Sequence, residues 1–178
     1  KNMKFIERRE MFEETLALAS NVIDLKAKLP DQVFRNEIQE FLFIDVDEVF
    51  TEEFYGRMNK FVGSVDESTW YFLDPDPWKP FLDSGKYPAF EITTNDLYED
   101  YWQIVSQGPS KGTEYAFFYA GTSRFILFSR SLRWCVLVDR NFEMGIAGFR
   151  NNDLAERFRT AFGGENVYNL EDAVDMFV

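Results

Sequence analysis

Two aspartates one residue apart, Asp45 and Asp47, follow the apolar run Phe41-Leu42-Phe43-Ile44 in this chain of 178 residues. Carboxylates placed in this way can attack an electrophile, pass a proton or share a magnesium ion. Other acids gather as Asp74 and Asp76 around Pro75, and as Glu91, Asp96, Glu99 and Asp100. Such pairs serve glycoside hydrolysis only where a fold faces them across a sugar, and the strict ligand spacing of a calcium loop is not present. The chain has no histidine. A serine–histidine–aspartate triad, a cysteine–histidine pair and a histidine-built zinc site are therefore closed to it. Cys135, the one cysteine, stands between Trp134 and Val136 and reads as an inert core thiol. No glycine-rich phosphate loop occurs. Neither a cofactor nor a bound metal is expected.

The stretch Phe41-Leu42-Phe43-Ile44-Asp45-Val46-Asp47-Glu48-Val49 resembles the first motif of the haloacid-dehalogenase phosphatases. That resemblance, confined to this one motif, implies Asp45 as nucleophile and Asp47 as acid/base, both helping to hold magnesium. It departs at Glu48, where the family usually has glycine. It also implies a downstream cation for phosphate, which Arg130 or Arg133 would supply because no lysine follows Lys111. Asn152-Asp153 is a faint echo of the acidic motif expected further on. A parallel sheet with crossover helices belongs to the same expectation. The plainer reading makes Asp45 the cap of a following helix.

Charge points elsewhere. The formal net charge is -12, and residues 31–76 carry twelve acids against three bases. Residues 124–159 reverse this, with seven arginines against four acids. An acidic body repels phosphate backbones, so direct nucleic-acid binding is not expected; it attracts a basic protein and speeds encounter with it. These features predict a non-enzymatic, acidic protein-binding domain of the bacterial toxin-neutralising (immunity) type. Its docking face would comprise Asp45, Asp47, Glu48, Glu52 and Glu53, with Glu48 and Glu52 one turn apart on a shared helix face. Asp74 and Asp76 would form a second acidic edge, and Trp78, in a proline-bounded loop, would be the most exposed aromatic. The alternative is a magnesium-dependent phosphatase-like hydrolase using Asp45 and Asp47. Arg124, Arg130, Arg133, Arg140 and Arg150 fall near strand ends, where they either converge on an anion or pair with surplus acids.

The elements that must position these residues are legible in outline. Apolar residues make up 46% of the chain and include 20 phenylalanines, enough for one sizeable core. No apolar run approaches the length of a membrane span, and residues 1–4 carry no apolar leader, so a cytoplasmic location is expected. A broken 3.6-residue pattern predicts helix over most of the first 45 residues, with Phe34, Ile38, Phe41 and Leu42 at helical spacing. Residues 47–62 read as a further helix. The stretch 69–73 is aromatic and β-favouring, and it is stopped by Asp74-Pro75-Asp76-Pro77. A strand at 87–93, a helix capped by Asn95-Asp96 and a loop at 108–112 follow. Runs at 114–120, 124–129, 133–139 and 143–149 read as strands whose short connections admit only antiparallel neighbours. Asn152-Asp153 opens a helix ended by Gly163-Gly164, and a last helix covers 170–177. The fold class expected is α+β over a single domain of residues 1–178: a helical N-terminal third, a central antiparallel meander of about four to six strands, and C-terminal helices packed on the sheet.

Overall fold

The computed structural model of the chain describes residues 3–107 and 118–177. Six strands form its centre: β1 (Glu40–Asp45), β2 (Thr69–Leu73), β3 (Ala89–Thr93), β4 (Arg124–Phe128), β5 (Trp134–Asp139) and β6 (Met144–Phe149). They join in one sheet in the order β1-β6-β5-β4-β2-β3, and every neighbouring pair is antiparallel. The strands at 124–129, 133–139 and 143–149 thus form the meander that their short turns require. The fold is α+β, as the sequence predicts.

Successive side chains of a strand point to opposite faces, and here both faces are covered. On one face Leu42, Ile44, Phe72, Phe125, Leu127, Val136 and Val138 pack under α2 (Glu52–Ser64), α4 (Tyr98–Ser106) and α6 (Asn152–Phe162). On the other, Phe43, Tyr71, Ile126, Phe128, Cys135 and Leu137 meet α1 (Arg9–Ala19), the irregular segment carrying Val22, Ile23, Phe34 and Ile38, and α7 (Leu170–Phe177). Double burial explains why β5 is buried at every position and reads as a continuous apolar run rather than an alternating one. A side chain at Gly148 would strike Ile38 and Phe34, so this glycine lets the irregular segment lie close on the sheet. Each edge strand is blocked by a single bridge. Phe43 and Tyr168 exchange backbone hydrogen bonds of 2.8 and 2.9 Å beside β1, and Ile6 bonds Ala89 and Tyr87 beside β3. Blocked edges discourage sheet-to-sheet association.

Three expectations are corrected. Phe34 does not begin a helix: it bridges Ile23, while Phe41 and Leu42 enter β1. Six consecutive residue pairs with β6 bury Phe43 and Ile44 on opposite faces, and that pairing overrides the helical spacing. The helix over 47–62 is two elements, a 3-10 turn at Val46–Glu48 and α2, whose N-cap Thr51 accepts a 3.2 Å hydrogen bond from Phe54 N. Of the strand expected at 114–120, residues 114–117 lie outside the described residues, as does the loop at 108–112. The remainder forms a helical turn, α5 (Phe118–Gly121), because Phe118 turns into the aromatic core 4.7 Å from Phe72. At the helix starts, α6 opens at Asn152 as expected, capped by Asn151, whereas Asp96 accepts from Thr93 N instead of capping α4. Among the described residues no helix is long and apolar enough to cross a membrane.

Candidate functional site

Asp45 ends β1, and its carboxylate accepts a 2.8 Å hydrogen bond from Asp47 N. The bond shapes the 3-10 turn that follows and leaves both side chains exposed. Glu48 ends this turn and pairs with Arg57 of α2 at 3.2 Å. Glu48 and Glu52 therefore do not share a helix face, since the Thr51 cap separates them. Glu52 and Glu53 stand exposed in the first turn of α2, where negative charge complements the helix dipole. Among the described residues, Asp45, Asp47, Glu52 and Glu53 have no ion-pair partner within 4.0 Å.

Aromatic groups adjoin these acids. The Tyr98 hydroxyl donates to Phe50 O at 2.9 Å and the buried Tyr101 hydroxyl donates to Val49 O at 3.0 Å, which locks α4 against the turn preceding α2. One helical turn beyond Tyr98, Trp102 is 40% exposed and meets Tyr119 of α5 edge-on at 5.5 Å. Tyr119 is 49% exposed and lies 5.6 Å from Phe50. The Arg140 guanidinium also lies over Phe50, 5.2 Å from the ring centre. Its burial there lowers the Arg140 pKa, against the opposing pull of Asp47 and Tyr119. Phe142, in the turn between β5 and β6, is also exposed. A cleft of about 380 Å³ runs beside this surface between Phe43, Asp45, Asp47, Arg140, Glu143 and Tyr168. The result is a surface on which half-exposed Trp and Tyr side chains adjoin exposed carboxylates, a combination suited to protein recognition.

The second acidic edge is a different structure. Asp74 is 3% exposed, accepts from Asp76 N at 2.8 Å and from the Thr122 hydroxyl at 3.2 Å, and burial pushes its carboxyl up to about 7. Asp76 is exposed but held by Arg124 Nε and Nη2 at 3.2 and 2.9 Å. Arg124, itself buried, also donates to Leu25 O and Ala27 O at 2.8 and 2.7 Å. This group clasps the irregular N-terminal segment to the sheet. Trp78 is half-buried rather than projecting: it packs 5.3 Å from Phe81, and a side chain at Gly121 would run into its ring. Its indole nitrogen is buried, with no hydrogen-bond partner among the described residues.

The expected residues thus divide. Asp45, Asp47, Glu48, Glu52 and Glu53 lie on one stretch of surface; Asp74 is buried, Trp78 is half-buried, and Asp76, though exposed, is tied to the buried Arg124. Tyr98 and Trp102 belong to an aromatic run in the sequence that suits either a binding surface or the core, and nothing in the sequence marks Tyr119 or places Arg140 beside the acids. Trp102 had a signal: with Tyr101, Ile104 and Val105 marking the buried side of a helix, residue 102 falls outward. The arginines do not converge. Arg133 binds Glu67 at 2.8 Å, Arg150 donates to Leu132 O, and Arg130 donates to Tyr71. Hydrogen bonds from Ser129, Ser131, Arg133 and Trp134 outweigh the burial of Glu67 and hold its pKa down.

The hydrolase geometry fits poorly. Its resemblance implies a parallel sheet, and this sheet is antiparallel throughout. Among the described residues no three carboxylate or thiol side chains converge as ligands for a metal, and the Asp45 carboxylate is engaged in capping its own turn. Comparison with family models, with curated proteins and with solved structures finds no match for this chain.

Proposed function

We propose that the chain is a non-enzymatic protein-binding domain that docks a basic protein through the face around Asp45, Asp47, Glu52, Glu53, Tyr98, Trp102 and Tyr119. The observation that carries this reading is the pairing of unneutralised carboxylates with a half-exposed Trp–Tyr contact. Hot spots are enriched in such aromatics, and charged rims steer encounter with a partner of opposite sign. The partner class that suits the face is a cationic protein whose own site is built for phosphate, such as a nuclease toxin. In that case the acidic surface mimics nucleic-acid charge and the domain acts as a cytoplasmic neutralising protein. Arg140 and Arg57 lie within the face and give it a pattern of sign that discriminates among cationic partners.

Affinity capture with the tagged chain, followed by titration of the captured partner, tests the reading. Binding is expected to weaken about tenfold or more as salt rises several-fold. The Glu52→Lys/Glu53→Lys pair should slow association, and Trp102→Ala should speed dissociation. Both variants should keep the native circular dichroism spectrum. A complex that tolerates high salt and both variants would place its interface elsewhere.

A further inference from the structure

On the sheet face away from α2 and α4, a pocket of about 420 Å³ opens between residues 4–8, α1 and the strands β2 and β3. A row of residues across the sheet forms its floor. Glu91 on β3 lies opposite Tyr71 on β2, and Tyr71 lies opposite Phe128 on β4, on which its ring stacks at 5.4 Å. The Tyr71 hydroxyl donates to Glu91 Oε2 at 2.5 Å and accepts from Arg130 Nε at 2.6 Å. Burial raises the Tyr71 hydroxyl to about 12, so it remains a donor at neutral pH. The Arg130 guanidinium sits 5.5 Å from the Tyr71 ring centre.

Arg130 is thus held by one nitrogen. Among the described residues, its two terminal nitrogens have no hydrogen-bond partner and no carboxylate within 4.0 Å. A guanidinium anchored at Nε loses little further freedom when a planar anion binds its outer edge, and carboxylate geometry matches that edge. The α1 side of the pocket is mixed: Met11, at 45% exposure, and Leu18 are apolar, beside Thr15 and Glu14. The Tyr71 hydrogen bond, helped by the charges of Glu91 and Glu14, raises the Arg130 pKa. At the mouth, Lys4 and Arg8 balance Glu7 and Glu14, all exposed, so the rim selects neither sign. Glu91, the acid on the floor, already accepts from Tyr71. The polar groups left open to a ligand are therefore the terminal donors of the exposed Arg130 side chain.

We propose that this pocket binds a small carboxylate with an apolar body, the carboxylate on the terminal nitrogens of Arg130 and the body against Met11 and Leu18. Pockets of this kind combine an apolar lining with a few fixed polar groups that orient the ligand. The site lies apart from the acidic docking face and does not depend on it.

Calorimetric titration of the full chain with hexanoate, hexanol and hexylamine tests the proposal. Hexanoate should bind saturably and tighter than either analogue. Arg130→Gln, a change at an exposed side chain, should weaken hexanoate about tenfold or more without altering hexanol. Tyr71→Phe keeps the ring on Phe128 and releases Arg130, and should weaken hexanoate by about threefold to tenfold. Met11→Glu, which sets a like charge on the α1 side, should weaken it as well. Equal binding of hexanol and hexanoate that ignores Arg130→Gln would show an apolar groove only and overturn the proposal. Preference for hexylamine, or no saturable binding of any of the three, would overturn it too.

Discussion

Asp45-Val46-Asp47 and Asp74-Pro75-Asp76 are the same pattern in sequence and make the same local bond. In each, the first carboxylate accepts from the backbone N–H of the second aspartate at 2.8 Å. Their fates are opposite. Asp45 caps a turn at the molecular surface and leaves its neighbours in water. Asp74 is pressed under the sheet end beside Thr122, and Asp76 is drawn to the buried Arg124. One motif supplies surface charge and the other a clasp. Local hydrogen bonding does not set the role of a carboxylate; what packs on its far side does.

The largest way to break the contrast is to remove the clasp. Arg124→Ala leaves Asp76 without its partner and the Leu25 and Ala27 carbonyls unsatisfied. It should cost about 3 kcal/mol, read as a lowered denaturant midpoint. Asp74→Asn should do the reverse at neutral and higher pH. Native Asp74 keeps its proton up to about 7, whereas the unfolded chain releases it near the ordinary 3.8. The folded state therefore binds more protons between these values, and stability falls as pH rises through that window. Asparagine still accepts from Asp76 N and carries no charge to desolvate. The variant should gain on the order of 2 kcal/mol at pH 8, and the gain should vanish towards pH 4, measured by urea unfolding across pH.

Changes at Asp45 should be milder. Asp45→Ala deletes the cap of the 3-10 turn and should cost about 1 kcal/mol in the same assay. Asp45→Asn keeps an acceptor for Asp47 N and should stay within about 0.5 kcal/mol of the parent. Its effect should appear in partner association instead, as a slower rate that high salt conceals. A large stability loss from Asp45→Asn would mean that the two motifs are alike after all.

The meander of β4, β5 and β6 was legible because turns too short for a crossover leave one arrangement open, and α6 and its glycine stop were legible from periodicity and capping chemistry. The segment around Phe34, Ile38, Phe41 and Leu42 was not. Its apolar residues satisfy helical spacing and a doubly buried strand equally well, and only β6 decides between them. Of the docking face, the acids were visible as composition. Its aromatic part was visible only as a run that includes Tyr98 and Trp102, because Tyr119 comes from a separate segment that folding brings against Trp102 and Phe50. Trp78, expected to be the most exposed aromatic, is half-buried because Gly121 leaves room for its ring, whereas Trp102 faces outward from α4 beside its buried neighbours.

By itself the sequence determined what chemistry is out of reach, the α+β class and the uneven spread of charge, for these follow from residue type and short-range geometry. Tertiary structure alone decided which carboxylates remain charged at the surface, which arginines are spent on clasps, and where Tyr71 and Arg130 meet. Those outcomes depend on the dielectric and the partners that distant segments bring, and neighbours in sequence cannot specify either.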